Sequence, residues 1–222
     1  MQSEPIAAAK RYQSTTVRRV RLARLAELRA LALAALEAPL RWRHHAVGML
    51  QAYVREEREP EVRIHLWHHE LVRTDLAIDG GRPHDHRFRL RSTVLAGAVD
   101  HEELHTYPVA EGEPAPWREY TVQHARAGAA PLVATGRRLR ALVVPGTIRA
   151  GRVYEFPARA FHRSTPRGLA VTLVTKVGQG TEPARVLFPE GCAPVFGVAP
   201  VEEATAARFV ELARRALESA DD

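Results

Sequence analysis

The sequence predicts a mainly β domain of the sandwich or barrel class, with helices packed outside it at both ends. Three observations predict it. From Glu61 onward apolar and polar residues alternate with a period of two. The alternating runs are short and are separated by Gly/Pro clusters. Apolar residues at three- and four-residue spacing occur only near the termini.

Taken in order, residues 1–15 read as a loose tail. Residues 16–38 read as a helix, with Leu22, Leu25, Leu28, Leu33 and Leu36 on one stripe, Thr16 as a candidate cap and Pro39 as its end. Arg18, Arg19, Arg21 and Arg24 make this helix basic. Residues 40–55 read as a second helix that buries Trp42, Ala46, Met49, Leu50 and Tyr53. Strands are expected where Val62, Ile64 and Leu66 alternate with Arg63, His65 and Trp67, and again over residues 71–78. Asp79-Gly80-Gly81-Arg82-Pro83 is a turn cluster leading into a strand at His84. Further strands are expected over residues 91–99, 102–108, 119–125, 139–144, 153–156 and 169–177. Residues 178–200 read as irregular. Residues 205–217 read as a last helix, with Phe209, Leu212, Ala213, Ala216 and Leu217 near one stripe. This divides the chain into a tail with helices (1–58), a β-barrel (59–178) and a C-terminal loop with a helix (179–222).

Composition limits the function. The chain of 222 residues is long enough for one substantial core. Its single cysteine, Cys192, excludes an intrachain disulfide and a thiolate cluster. No apolar run approaches the length of a membrane span, and no continuous apolar h-region follows Met1-Gln2-Ser3-Glu4-Pro5, the stretch from Ala30 to Leu36 being short and alanine-rich. A cytoplasmic protein is therefore expected. The net charge of +6 is carried almost wholly by arginine, because Lys10 and Lys176 are the only lysines. The arginines are scattered rather than gathered in one tract, and no DNA-reading helix pair is recognisable, which argues against nucleic acid as a partner.

The chemistry-bearing residues are histidines. His84 and His86 are two apart, so a strand presents both on one face. His162 follows Gly151 and Pro157 at the end of a later strand. Three neutral imidazoles converging inside a small barrel make a site for Fe, Zn, Ni, Co, Mn or Cu. Asp85 has the opposite parity and is expected to point away from such a metal.

These residues resemble the two motifs of the cupin superfamily. Gly81, His84, His86 and Gly97 match the first in kind, and Gly151, Pro157 and His162 match the second. The run from Gly81 to His84 is shorter than usual. Leu90 or Arg91 falls where the family has a glutamate, and Arg159 stands where a second glycine usually does. The resemblance covers roughly residues 60–178 and implies a cupin-type double-stranded β-helix, a jelly-roll barrel. A three-histidine site without a carboxylate is similar to that of the thiol dioxygenases. By that resemblance His84, His86 and His162 would hold Fe(II), and an anionic substrate would bind the metal next to dioxygen. The same enzymes use a tyrosine near the metal and an arginine for a substrate carboxylate. Tyr154 and Tyr107 are the candidates for the first role. Arg89, Arg91, Arg159 and Arg163 flank the motifs and are candidates for the second.

His101, Glu103, His105 and Tyr107 share one parity on a strand after Gly97, so His101 and His105 are further candidates for an acid–base or supporting role. Phe88 and Phe161 are candidates for pocket walls. His65, His68 and His69 form a dense group, for which surface or oligomer contacts are expected. Three function classes follow. The first is an Fe(II)-dependent oxygenase acting on a small metal-coordinating thiol, amino acid or other acid with O2. The second is a metal-dependent lyase or isomerase on the same scaffold. The third is a non-catalytic metal- or ligand-binding module. A homodimer is compatible with all three, and no membrane partner is expected.

Overall fold

In the computed structural model the described residues are 15–45, 47–56, 60–72, 82–123, 128–178, 180–192, 194 and 196–221. The chain opens with β1 (Thr16–Arg19), α1 (Leu22–Glu37), β2 (Arg43–His45), β3 (Met49–Arg55) and β4 (Val62–Trp67). It continues with β5 (Arg89–Ala96), β6 (Ala98–Pro108), β7 (Trp117–Val122), β8 (Gly128–Ala129) and β9 (Leu132–Arg149). β10 (Arg152–Phe156), β11 (Phe161–Pro166), β12 (Ala170–Val177), β13 (Arg185–Pro189), β14 (Gly197–Pro200) and α2 (Glu203–Glu218) complete it.

The strands form two sheets, with order β1-β10-β5-β12-β4-β3-β2-β14-β8 in one and β11-β6-β9-β7-β13 in the other. Eight segments carry a jelly roll: β4, the extended segment around His84, β5, β6, β9, β10, β11 and β12. β10-β5-β12-β4 are neighbours in the larger sheet. β9-β6-β11 are neighbours in the smaller one, and the His84 segment joins them through an antiparallel bridge to His162. This alternation between two facing sheets is the cupin-type double-stranded β-helix.

The central strands of the larger sheet, β3, β4, β5 and β12, are buried on both sides over most of their length. The sheet's outer face carries Leu50, Ala52, Ile64, Leu66, Leu95, Val171 and Leu173, which pack with Leu25, Ala32 and Leu36 of α1 and Phe209, Ala213 and Leu217 of α2. Its inner face lines a cavity between the sheets. The side chain of Arg29 ties the layers by donating to the carbonyls of Leu95 (3.1 Å) and Ala220 (2.8 Å). A strand covered on both sides loses the alternating pattern and reads as a continuous buried run.

That loss explains one correction. Residues 40–55 are not a helix but the hairpin β2–β3, turned at Gly48, whose φ is +81°. Met49, Leu50, Gln51 and Ala52 are all buried because helices cover one face and the cavity lies on the other. A short buried run cannot be told from a buried helix by period. A second correction concerns the first helix, which starts at Leu22. Residues 16–19 instead form an outer strand paired with β10 (Thr16 opposite Glu155, Arg19 opposite Arg152). Charged Arg18 and Arg19 suit such an edge position. Residues 178–200, expected to be irregular, contain β13 and β14. The expected strand over 71–78 and the Gly81 turn lie outside the described residues, apart from Leu71 and Val72. No helix among the described residues is long and apolar enough to cross a membrane.

Candidate metal centre

The site begins with backbone pairing. The His84 segment runs between β11 and β13 and is hydrogen-bonded on both edges. His84 and His162 exchange N–H···O bonds of 3.0 Å each way, while Asp85 N donates to Arg185 O (2.9 Å) and Leu187 N donates to Pro83 O (2.8 Å). The amide of Arg159 donates to the carbonyl of His86 (2.8 Å). Both histidines of the His-x-His pair are therefore set in a position fixed by strands distant in sequence.

Strand parity then sends the side chains apart. His84 and His86 enter the cavity. Asp85 goes the other way and is 1% exposed. Its carboxylate accepts from Arg185 N (2.6 Å) and Arg185 Nε (2.7 Å), and Arg159 Nε lies 3.4 Å away. Arg185 also donates to buried Glu119 (3.2 Å) and stacks over Phe161 (4.6 Å). Asp85 thus anchors the ligand segment rather than contributing to the cavity. Arg159 has a φ of +70°, the left-handed region that favours glycine. Its side chain is held there by Asp85 and by the carbonyl of Pro183 (2.5 Å).

In the cavity, ring nitrogens of His84, His86 and His162 all lie within 4.8 Å of one another. The ring centroids are 5.0 Å apart for His84–His86, 4.6 Å for His84–His162 and 5.0 Å for His86–His162. Nδ1 of His84 lies 2.9 Å from the carbonyl of Arg82, and Nδ1 of His162 lies 3.2 Å from that of Ala160. A carbonyl only accepts, so each Nδ1 carries the proton and each Nε2 presents a lone pair. His86 stacks on Phe88 (5.1 Å) and His162 on Phe156 (4.1 Å). Burial is the main cause that lowers the pKa of all three, most strongly for His86 and His162, and the neighbouring imidazoles lower those two further. Three neutral imidazoles, two of them with the Nε2 lone pair oriented by a backbone carbonyl, fit a first-row divalent metal.

Among the described residues no acidic side chain completes the group. Glu103 accepts from Thr15 N (2.7 Å) and faces His105 Nε2 (3.4 Å). Glu61 lines the cavity but is held by Arg63 (2.5 Å) and Lys176 (3.6 Å).

The other sequence candidates fall in different places. Tyr154 lines the cavity, and burial pushes its hydroxyl up to about 12. His101 packs on Phe156 (4.8 Å) and lies 5.8 Å from His162, with Nδ1 at 3.2 Å from Ser164 Oγ. Burial holds its pKa down at about 4. His105 is half-buried beside Glu103 and Tyr107 is exposed on the surface, and neither lines the cavity. Phe88 lines the cavity, whereas Phe161 packs on the far side with Leu104, Leu139 and Leu187. Arg91 pairs with Glu155 and Arg163 with Glu102, and none of the four flanking arginines lines the cavity.

The cavity residues that sequence reasoning missed include His45, Gln51, Arg63 and His65. His65 faces the interior rather than the surface. Its parity with Arg63 and Trp67 was the available signal, since the opposite parity of β4 is purely aliphatic. His45 lies 6.5 Å from His84, and burial lowers its pKa to about 3.

No protein-family model matches the chain, and no curated protein matches it. Among solved structures it is similar to the ribosomal oxygenase YcfD of Escherichia coli, at 12% identity and a TM-score of 0.36, over 78% of this chain and 52% of that one. A second structure of the same oxygenase gives 12% identity and 0.35, over 78% and 50%. The chain thus spans about half the length of these proteins. Drosophila melanogaster CENP-C bound to CAL1 is also similar, at 10% identity and 0.24, over 76% and 94%.

Proposed function

We propose that the protein is a non-haem Fe(II)-dependent oxygenase acting on a small acid, amino-acid derivative or thiol that itself coordinates the metal. The observation that carries this reading is the set of three neutral imidazoles, His84, His86 and His162, with Asp85, Glu103 and Glu61 each held by other partners. Three neutral ligands leave the charge of a divalent ion uncompensated, which favours an anionic substrate. Bound iron would supply neighbouring open positions on which dioxygen and substrate meet.

The chain's own residues do the rest. His84, His86 and His162 would hold the metal, His84 and His162 by Nε2. Phe88 and Phe156 stack on two of the ligand rings and keep water from that side. Tyr154 keeps its proton at neutral pH and serves as a hydrogen-bond donor within the cavity. His45 accepts from Val47 N at Nδ1 (3.4 Å), so its Nε2 carries the proton and donates next to His84.

Addition of nitric oxide to the anaerobic Fe(II) protein tests the reading. A high-spin iron–nitrosyl resonance is expected, because positions remain open beside the three imidazoles. An iron-loaded protein that gives no such signal would overturn it. Turnover without O2 would move the protein to the lyases or isomerases, with Tyr154 as the proton carrier.

A further inference from the structure

The cavity that holds His84, His86 and His162 is also lined by Gln51 and His65, polar side chains of the larger sheet with buried atoms that have no hydrogen-bond partner among the described residues. Gln51 of β3 and His65 of β4 are register neighbours on the inner face of the larger sheet, and Thr172 of β12 lies next to His65. Both side chains are 5% exposed and line the same cavity as His84, His86 and His162. Gln51 Oε1, His65 Nδ1 and His65 Nε2 are buried without a partner among the described residues. Thr172 offers little relief, because its hydroxyl already accepts from Trp67 Nε1 (3.0 Å). Buried polar atoms are paired in the great majority of cases, and a cluster of unpaired ones aimed into a cavity calls for an explanation.

The neighbouring positions set the charge of whatever fills that space. Arg63 lines the cavity two residues along β4; its Nε is also buried without a hydrogen-bond partner among the described residues, and its terminal nitrogen is ion-paired with Glu61, whose Oε1 likewise has no hydrogen-bond partner there. Lys176 shares the same carboxylate and lies over the Phe88 ring (4.9 Å). One carboxylate between two cations leaves one positive charge in excess. The pole therefore disfavours an ammonium group and favours an anion.

We propose that Gln51 and His65 form a subsite that recognises a hydroxyl group, so that the substrate is a small hydroxy acid. The hydroxyl donates to Gln51 Oε1 and accepts from the ring N–H of His65. The carboxylate accepts from Arg63 Nε and balances the positive charge. A thiol or a simple carboxylic acid leaves Gln51 and His65 unpaired and is discriminated against for that reason. The proposal rests on the metal-site reading for where the rest of the molecule lies, but Gln51 and His65 are not among the three residues that would hold the metal.

Matched ligand pairs test it. Lactate and propionate, and malate and succinate, differ within each pair by one hydroxyl. Each is titrated into Co(II)-loaded protein, read by the visible cobalt bands, and into metal-free protein, read by thermal shift. In at least one pair the hydroxy acid is expected to bind at least about tenfold tighter. Gln51→Leu and His65→Leu should bring that preference below about threefold, with cobalt content and azide binding unchanged. Both substitutions replace an unpaired buried polar group by an apolar one, so both variants should remain folded. Equal binding within both pairs, in the cobalt and the metal-free protein alike, overturns the proposal. So does a preference that survives both substitutions. A wild-type protein that takes up no cobalt contradicts the metal-site reading instead, and the thermal-shift arm then decides the subsite alone.

Discussion

His84 and His162 are joined twice: their backbones exchange two hydrogen bonds of 3.0 Å, and their rings lie 4.6 Å apart in the cavity. The two motifs, separated by most of the barrel in sequence, thus meet as one cross-strand pair. The ligand geometry is therefore a property of the sheet, and single side-chain truncations should remove the metal without removing the fold. His84→Ala and His162→Ala are each expected to lose most bound metal while keeping the wild-type far-UV spectrum. Elemental analysis after anaerobic purification checks this. Unchanged metal in both variants would show that the cluster is not the binding site.

Asp85 sits between His84 and His86 yet serves the opposite face, where it pairs with Arg185. Removing one member of a buried ion pair leaves the other uncompensated, at a cost of about 3 kcal/mol or more. Asp85→Ala should show that loss in urea unfolding. It should also weaken metal binding by about tenfold or more, because it releases the segment that carries both histidines. Wild-type values for both would mean that the pair does not position the site.

Two glycines provide a comparison in stability. Gly97 and Gly168 both have a φ near +70° (+71° and +72°). A Cβ on Gly97 would lie 2.0 Å from the carbonyl oxygen of Leu169, whereas one on Gly168 meets nothing within 4 Å. Gly168→Ala should cost only the left-handed backbone penalty, about 1–2 kcal/mol. Gly97→Ala should cost clearly more, or give insoluble protein. Thermal denaturation of the two variants side by side decides, and equal loss would contradict the close approach of Gly97 to β12.

Much of this was legible in the sequence, for reasons visible in particular residues. The His-x-His pair and His162 were readable because strand parity is local and because glycine and proline mark the turns around them. α2 was readable because Phe209, Ala213 and Leu217 bury one face while the opposite face stays polar. β3 was not readable, because Met49 to Ala52 are buried on both faces and carry no period. β13 was not readable either. Its pairing with the His84 segment depends on contacts about a hundred residues apart, such as Arg185 to Asp85. For the same reason His45 and Gln51 gave no sign of facing the cavity, and the parity of His65 with Arg63 and Trp67 pointed to an inner face without saying what else that face would meet. Each belongs to a strand whose inner side is defined only once the sheets close.

Several histidines are held neutral by burial, which gives stability a predictable pH dependence. His45 and His101 have pKa values lowered to about 3 and about 4, against about 6.5 in the unfolded chain. In that interval the unfolded state binds more protons, so stability is complete above about pH 6.5 and falls as pH drops toward 4. Each proton taken up contributes a slope of about 1.4 kcal/mol per pH unit. Urea midpoints of metal-free protein between pH 7.5 and 4.5 should fall steadily below about 6.5. In His101→Phe the slope should be shallower by one proton. A flat profile would mean that these rings are hydrated and free to charge.

The central claim is an oxygenase centre built on three imidazoles and no carboxylate, and oxygen uptake tests it most directly. The anaerobically prepared Fe(II) protein is placed in an oxygen electrode with a series of small hydroxy acids, amino acids and thiols, each with and without 2-oxoglutarate. Centres that chelate 2-oxoglutarate commonly use two histidines and a carboxylate, and here Asp85 is committed to Arg185. The account predicts O2 consumption that starts with one member of the series, needs no 2-oxoglutarate and is lost in His162→Ala. Uptake that depends strictly on 2-oxoglutarate, or substrate turnover at full rate without oxygen, would contradict it.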